Sequence, residues 1–149
     1  MKNSIKTLVA LFFAAFILSL TGCKKEPADL IIGSWQELEA VYTETINGET
    51  NYPESLLEPG EVVTMTFNKD NTYTSKSVLG DDVNVTSGTW SIVDNKLTFT
   101  QDEEELGISS MTFDIELLDK KDMTIVCNES GTQLGITYNI NITIKMKRI

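Results

Sequence analysis

The stretch ITYNINITIKMK, residues 136–147, decides how this chain is read. Ile136, Tyr138, Ile140, Ile142, Ile144 and Met146 alternate without a break with Thr137, Asn139, Asn141, Thr143, Lys145 and Lys147. Successive side chains of an extended chain point to opposite faces, so this pattern specifies a strand with one face turned to a core.

The same period of two runs through most of the chain. EVVTMTFN (61–68) places Val63, Met65 and Phe67 on one face, and TYTSKSVL (72–79) does the same for Tyr73, Ser75, Ser77 and Leu79. Trp90 and Ile92 pair off in GTWSIV, Leu97 and Phe99 in KLTFT, and Met123, Ile125 and Cys127 in MTIVC. SMTFDIELL gives Met111, Phe113, Ile115 and Leu117. The first strand, WQELEAVYTET (35–45), is less regular; Leu38, Ala40 and Tyr42 are assigned to its inner face.

Turn chemistry separates the runs: NKDN at 68–71, GDD at 80–82, DN at 94–95, LDKKD at 118–122 and NESG at 128–131. Short Asn-, Asp- and Gly-rich connections favour antiparallel hairpins between neighbours. DEEELG (102–107) is a longer acidic loop, and INGETNYPESLLEPG (46–60) is the longest connection. Pro53 to Leu57 within it suits one helical turn, with proline at its start. No stretch of 12 or more residues keeps a helical period. Eight strands joined in sequence leave two unpaired edges unless the sheet closes, so the expected fold is all-β, an eight-stranded antiparallel up-and-down barrel, with a two-sheet sandwich as the alternative.

The amino terminus reads differently. Lys2 and Lys6 precede an uncharged apolar run from Leu8 to Leu20. That run is shorter than the roughly 20 residues of a membrane-spanning helix and fits a secretory signal peptide. It ends in Leu20-Thr21-Gly22-Cys23, which resembles the lipobox of bacterial lipoproteins. The resemblance implies cleavage before Cys23 and a diacylglycerol on its sulfur. The expected organisation is a signal peptide over 1–22, a lipidated tether over 23–32 and one barrel domain over 33–149. The location expected is the cell envelope, lipid-anchored at the outer membrane, its periplasmic or surface face left open.

The full chain has 22 acidic and 12 basic residues, a net charge of −10, and removal of Lys2 and Lys6 makes it more acidic still. Such a surface repels nucleic acid. There is no histidine, which removes the commonest general base and metal ligand. Cys127, left without a partner if Cys23 carries lipid, reads as a small buried hydrophobe. Asp102 to Glu105 read as a solvated run. No cofactor, metal or catalytic activity is expected.

The two tryptophans share a tripeptide form, Gly33-Ser34-Trp35 and Gly88-Thr89-Trp90. QELEAVYTET after the first and SIVDNKLTFT after the second share no pattern, so the two are not a repeat. Gly33-Ser34-Trp35 opening the first strand, the long loop after that strand, the eight-strand count and Arg148 after the last strand resemble the lipocalins. They resemble more closely the small lipocalin-like lipoproteins of Bacteroidetes-type bacteria. The Thr-Asp-Tyr motif of many lipocalins is absent, LLDKKD standing in its place. The resemblance implies that Trp35 plugs one end of the barrel with Arg148 packed across it. Gly88 is expected to mark a bulge or bend, with Trp90 facing inward.

A barrel of this size holds one small ligand or is filled by its own side chains. The first reading makes the protein a binder of a small hydrophobic or amphipathic molecule. Its inner face offers Tyr42, Met65, Phe67, Tyr73, Ser75, Ser77, Trp90, Phe99, Phe113 and Tyr138 as lining, with the 46–60 loop as a lid. The alternative is a non-enzymatic partner-binding or structural lipoprotein with a solid barrel, meeting a partner through Asp102 to Glu105 and the 46–60 loop.

Overall fold

The computed structural model describes residues 26–101 and 110–149; the leader, Cys23 and the acidic run Asp102 to Glu105 lie outside them. A five-residue helix, α1 (Pro27–Ile31), precedes ten strands. These are β1 (Gly33–Ile46), β2 (Glu49–Thr50), β3 (Glu54–Ser55), β4 (Val62–Phe67), β5 (Thr72–Leu79), β6 (Asp82–Val93), β7 (Lys96–Gln101), β8 (Ser110–Leu118), β9 (Asp122–Gln133) and β10 (Ile136–Arg148). The long strands pair antiparallel with their neighbours in sequence order from β4 to β10, and β1 pairs with both β4 and β10. The sheet is therefore a closed barrel of eight strands.

The core is built from the inner faces the alternation assigned. Trp35, Met65, Phe67, Tyr73, Trp90, Leu97, Phe99, Phe113, Ile115, Met123, Ile125 and Met146 form one buried cluster. Phe67 meets Trp90 edge to face at 5.9 Å, and Phe99 meets Phe113 in the same way at 5.8 Å. These are the offsets that aromatic quadrupoles favour.

Two bulges break the alternation, and each shifts an assignment. The β1–β10 register slips between Glu37 and Glu39, which turns Leu38 outward at 59% exposure and brings Glu37 and Ala40 to the inside. The β8–β9 register slips between Ile115 and Leu117. Leu117 is consequently exposed at 45%, and Leu118 packs on the core in its place. An extra residue in one strand exchanges the faces of everything beyond it.

Three local expectations are corrected. Asn128 to Gly131 are not a turn: β9 runs on to Gln133 and reverses at Leu134-Gly135, whose φ angles of 52° and 81° suit a two-residue hairpin turn. Pro53 to Leu57 are not a helical turn. Beyond Gln36, β4 no longer pairs with β1, and the 46–60 loop folds back onto that vacated edge. Glu54 pairs there with Tyr42, and the Leu56 amide donates to the Ala40 carbonyl at 2.8 Å. The exposed edge of β1 offers backbone partners that one isolated helical turn would forgo. Pro27–Ile31, read as tether, is helical with Pro27 in its first turn, and Ile31 is fully buried beneath the barrel.

Gly88 lies in an unbroken ladder, between Tyr73 of β5 and Gln101 of β7, so it marks no bulge. A β-carbon there would come within 2.0 Å of the Thr100 carbonyl oxygen and 2.9 Å of the Tyr73 ring. The glycine lets the wall curve and lets Tyr73 lie against it.

Candidate functional site

The barrel has one sealed end and one open end. At the sealed end Trp35 is fully buried, and its indole Nε1–H donates to the Ile31 carbonyl at 2.7 Å. The Arg148 guanidinium carbon sits 4.3 Å from the Trp35 ring centre. Arg148 also donates from Nη1 to the Ile32 carbonyl at 2.8 Å, from Nε to the Lys120 carbonyl at 2.9 Å, and from Nη2 to the Leu30 carbonyl. One side chain thus satisfies carbonyls of α1, of the segment after it and of the β8–β9 turn while covering the indole face. Gly33, with φ of 129°, leaves the space: a β-carbon there would meet Arg148 Nη1 at 2.5 Å. Trp90 faces the interior, and its indole donates to the Thr72 carbonyl at 3.1 Å.

Moving up the barrel, the inner face turns polar. Beyond Trp35 the inward position on β1 is Glu37, and burial, with a smaller effect of the neighbouring Glu61 charge, pushes its carboxyl up to about 7. Glu61, at the entrance to β4, accepts from Ser77 Oγ at 2.5 Å and from the Glu58 amide at 3.0 Å. Those hydrogen bonds hold its carboxyl below the usual range. One acid at this level therefore favours its neutral form while the adjacent one favours its charge.

At the open end β1, β9 and β10 extend together, and their inner faces form cross-strand rows. Tyr42, Ile142 and Cys127 make one row. Glu44, Ile140 and Glu129 make the next. Ile46, Tyr138 and Gly131 come after it, then Ile136 and Gln133 beside the Leu134 turn. From the Glu44 row to the turn these residues, Gly131 excepted, line an open cavity of ≈ 430 Å³. The Tyr138 ring lies over Gly131, where a β-carbon would meet its hydroxyl at 2.6 Å. Asn51 Nδ2 donates to Glu44 Oε2 at 3.3 Å, and the Asn51 amide donates to the Glu44 carbonyl at 2.8 Å. Tyr42 hydrogen-bonds Glu44 as well; its phenol is raised, chiefly by desolvation and then by the Glu44 charge. Cys127 is half-buried, and burial raises its thiol, so it carries no thiolate character.

The residues expected to line a ligand site are divided by this geometry. Met65, Phe67, Tyr73, Trp90, Phe99 and Phe113 pack on one another in the core. Ser75 and Ser77 lie on the inner face above them, and Ser77 is engaged by Glu61. Tyr42 and Tyr138 belong to the open end. The sequence pattern passes over Glu37, Glu44 and Glu129, although each stands two residues beyond an assigned or expected inward residue: Trp35, Tyr42 and Cys127. Among the described residues there is no group of His, Cys, Asp and Glu placed to hold a metal ion. No helix there is long and apolar enough to cross a membrane.

The closed eight-stranded barrel with an arginine-capped tryptophan plug defines a lipocalin-type domain. The chain belongs to the lipocalin-like domain family, whose model matches residues 31–144. A lipocalin-like protein from Bacteroides uniformis ATCC 8492 shares the fold with a TM-score of 0.51 at 14% identity, over 80% of this chain and 99% of that one. An uncharacterized protein from Bacteroides eggerthii DSM 20697 aligns with a TM-score of 0.49, 14% identity and the same coverages. No curated protein matches the sequence.

Proposed function

We propose that this protein is a non-enzymatic, membrane-anchored binder of a small hydrophobic or amphipathic molecule, which it holds in the open end of the barrel. The observation that carries this reading is the cavity of ≈ 430 Å³ walled by Ile46, Ile136, Tyr138 and Ile140. Ligand sites are concave, mostly apolar and commonly about 300–1,000 Å³, and barrel mouths are a favoured place for them. Titration with N-phenyl-1-naphthylamine, a neutral apolar fluorophore, is expected to give saturable fluorescence enhancement. Its absence, together with no small molecule retained in native mass spectrometry of protein from the source cell, would leave the solid-barrel, partner-binding reading.

The anchor in this proposal is a lipidated Cys23. Acyl chains contribute about 0.8 kcal/mol per buried CH₂, and two or more hold a protein stably on a bilayer. Pro27 opens a helix packed at the sealed end, four positions after Cys23. Four residues reach at most about 14 Å, so the sealed end lies next to the membrane and the cavity opens away from it. Ligand then enters from the aqueous side. Cys23→Ala is expected to move the protein from the membrane fraction to the soluble one; retention in the membrane fraction would defeat the anchoring proposal.

A further inference from the structure

We infer that the mouth cavity selects a cationic amphiphile, a molecule with a protonated amine on a short apolar body; this rests on the ligand-binding reading above. The row structure carries the inference. Glu44 and Glu129 stand on either side of Ile140, on the two strands that flank it. Neighbouring strands lie about 4.8 Å apart, so the two glutamates rise from backbones about 10 Å apart and both line the cavity. The rows beyond this one, toward the turn, carry no charge and are mainly apolar: Ile46 and Tyr138, then Ile136 with Gln133 beside Leu134. The cavity is thus polarised, with both charges on its inner side and an uncharged, mainly apolar outer side.

Nothing positive in the lining compensates that charge, which contains no lysine or arginine. The ion pairs among the described residues are Lys96 with Asp114 and Lys145 with Glu39, both elsewhere. Glu44 is held in place by neutral partners, Asn51 and Tyr42, which orient it and leave its charge unmatched. An ammonium group in the Glu44–Ile140–Glu129 row would be met by both carboxylates, with the Tyr138 ring in the adjoining row. A carboxylate or phosphate group in the same row would be repelled.

Leu134 gives independent support for the apolar half. It is 97% exposed and adopts φ of 52°, a left-handed conformation that favours Asn, Asp or Gly. The equivalent positions of other turns here carry Asn47 and Asp94. A leucine is poorly suited to that conformation and to water, and it borders the cavity, where an apolar ligand gives it a partner.

Three probes sharing one alkyl chain test the inference: octylammonium, octanol and octanoate, titrated by calorimetry at physiological salt. Exposed charge pairs contribute modestly, so octylammonium is expected to bind about five- to tenfold more tightly than octanol, with octanoate weakest. E44Q/E129Q should erase the preference and leave octanol binding intact. D81N/E116Q, which removes the same charge at exposed sites away from the cavity, should leave the preference unchanged. Equal binding of the three probes, persistence of the preference in E44Q/E129Q, or its loss in D81N/E116Q would overturn the inference. Failure of all three probes to bind would instead remove the ligand-binding reading beneath it.

Discussion

The two ends of the barrel share β1, β9 and β10, and differ in what those strands carry on the inner face. At the sealed end the inward positions are Trp35, Met123, Ile125 and Met146, none more than 1% exposed. At the open end the same strands present Glu44, Ile46, Glu129, Ile136 and Tyr138 around the cavity. The β9–β10 ladder is continuous from one end to the other, and β1 follows β10 over the same length with one bulge between Glu37 and Glu39. Among the described residues the two ends differ in their opposite wall: β4 spans six residues, and the longer β1, β9 and β10 run past it. Stability therefore concentrates where the wall is complete, and the projecting part is left free to meet something else.

That contrast predicts unequal mutational costs. Trp35→Ala removes a fully buried indole together with its hydrogen bond and the surface under Arg148, and should cost about 3–5 kcal/mol in urea unfolding. Ile136→Thr at the open end, on a residue already 48% exposed, should stay within about 0.5 kcal/mol. Similar costs at both ends would break the comparison.

Glu37, midway between the ends, supplies a pH-dependent test. Its carboxyl is raised to about 7 in the folded protein, against an ordinary value of 4.5. The folded state therefore holds more protons than the unfolded state between those values. As pH rises through that window, stability falls by an amount on the order of 1–3 kcal/mol. Glu37→Gln should flatten the urea midpoint between pH 5 and 8 and raise it at pH 8. A wild-type midpoint that climbs across that range, with no flattening in the variant, would place Glu37 in water.

At the turn the expected effect has the opposite sign to that of Trp35→Ala. Leu134→Asn relieves an unfavourable left-handed leucine and should stabilise the protein by about 0.5–1 kcal/mol, while weakening octylammonium binding. A gain in stability with unchanged binding would remove Leu134 from the site and sharpen its boundary to the rows of Glu44 and Tyr138.

Most of the architecture is legible in the sequence because one face of each strand is buried and the period of two records it. The plug is legible too, through Trp35 at the start of β1 and Arg148 at the end of β10, which the closing pair brings into register. Bulges are not: Leu38 and Leu117 are apolar at the expected spacing, and only the slipped register shows why they face solvent. The last turn is misplaced by composition alone, because Asn128 to Gly131 has turn chemistry whereas the actual turn uses a leucine. Gly131 serves instead as the flat spot beneath Tyr138. The acids of the open end are hidden by the habit of ending an inner face at its last apolar residue. Carrying the same period one step further, from Tyr42 to Glu44 and from Cys127 to Glu129, finds them.

The central claim is that the sealed end is structural and the open end binds. The two tryptophans, both buried in the core cluster, make a direct probe of it. In a ¹H–¹⁵N titration with octylammonium, the indole signals of Trp35 and Trp90 are expected to stay in place while the amides of Glu129, Gln133, Tyr138 and Ile140 shift. Saturable shifts of either indole, with the open-end amides unmoved, would put the ligand in the core and contradict the account.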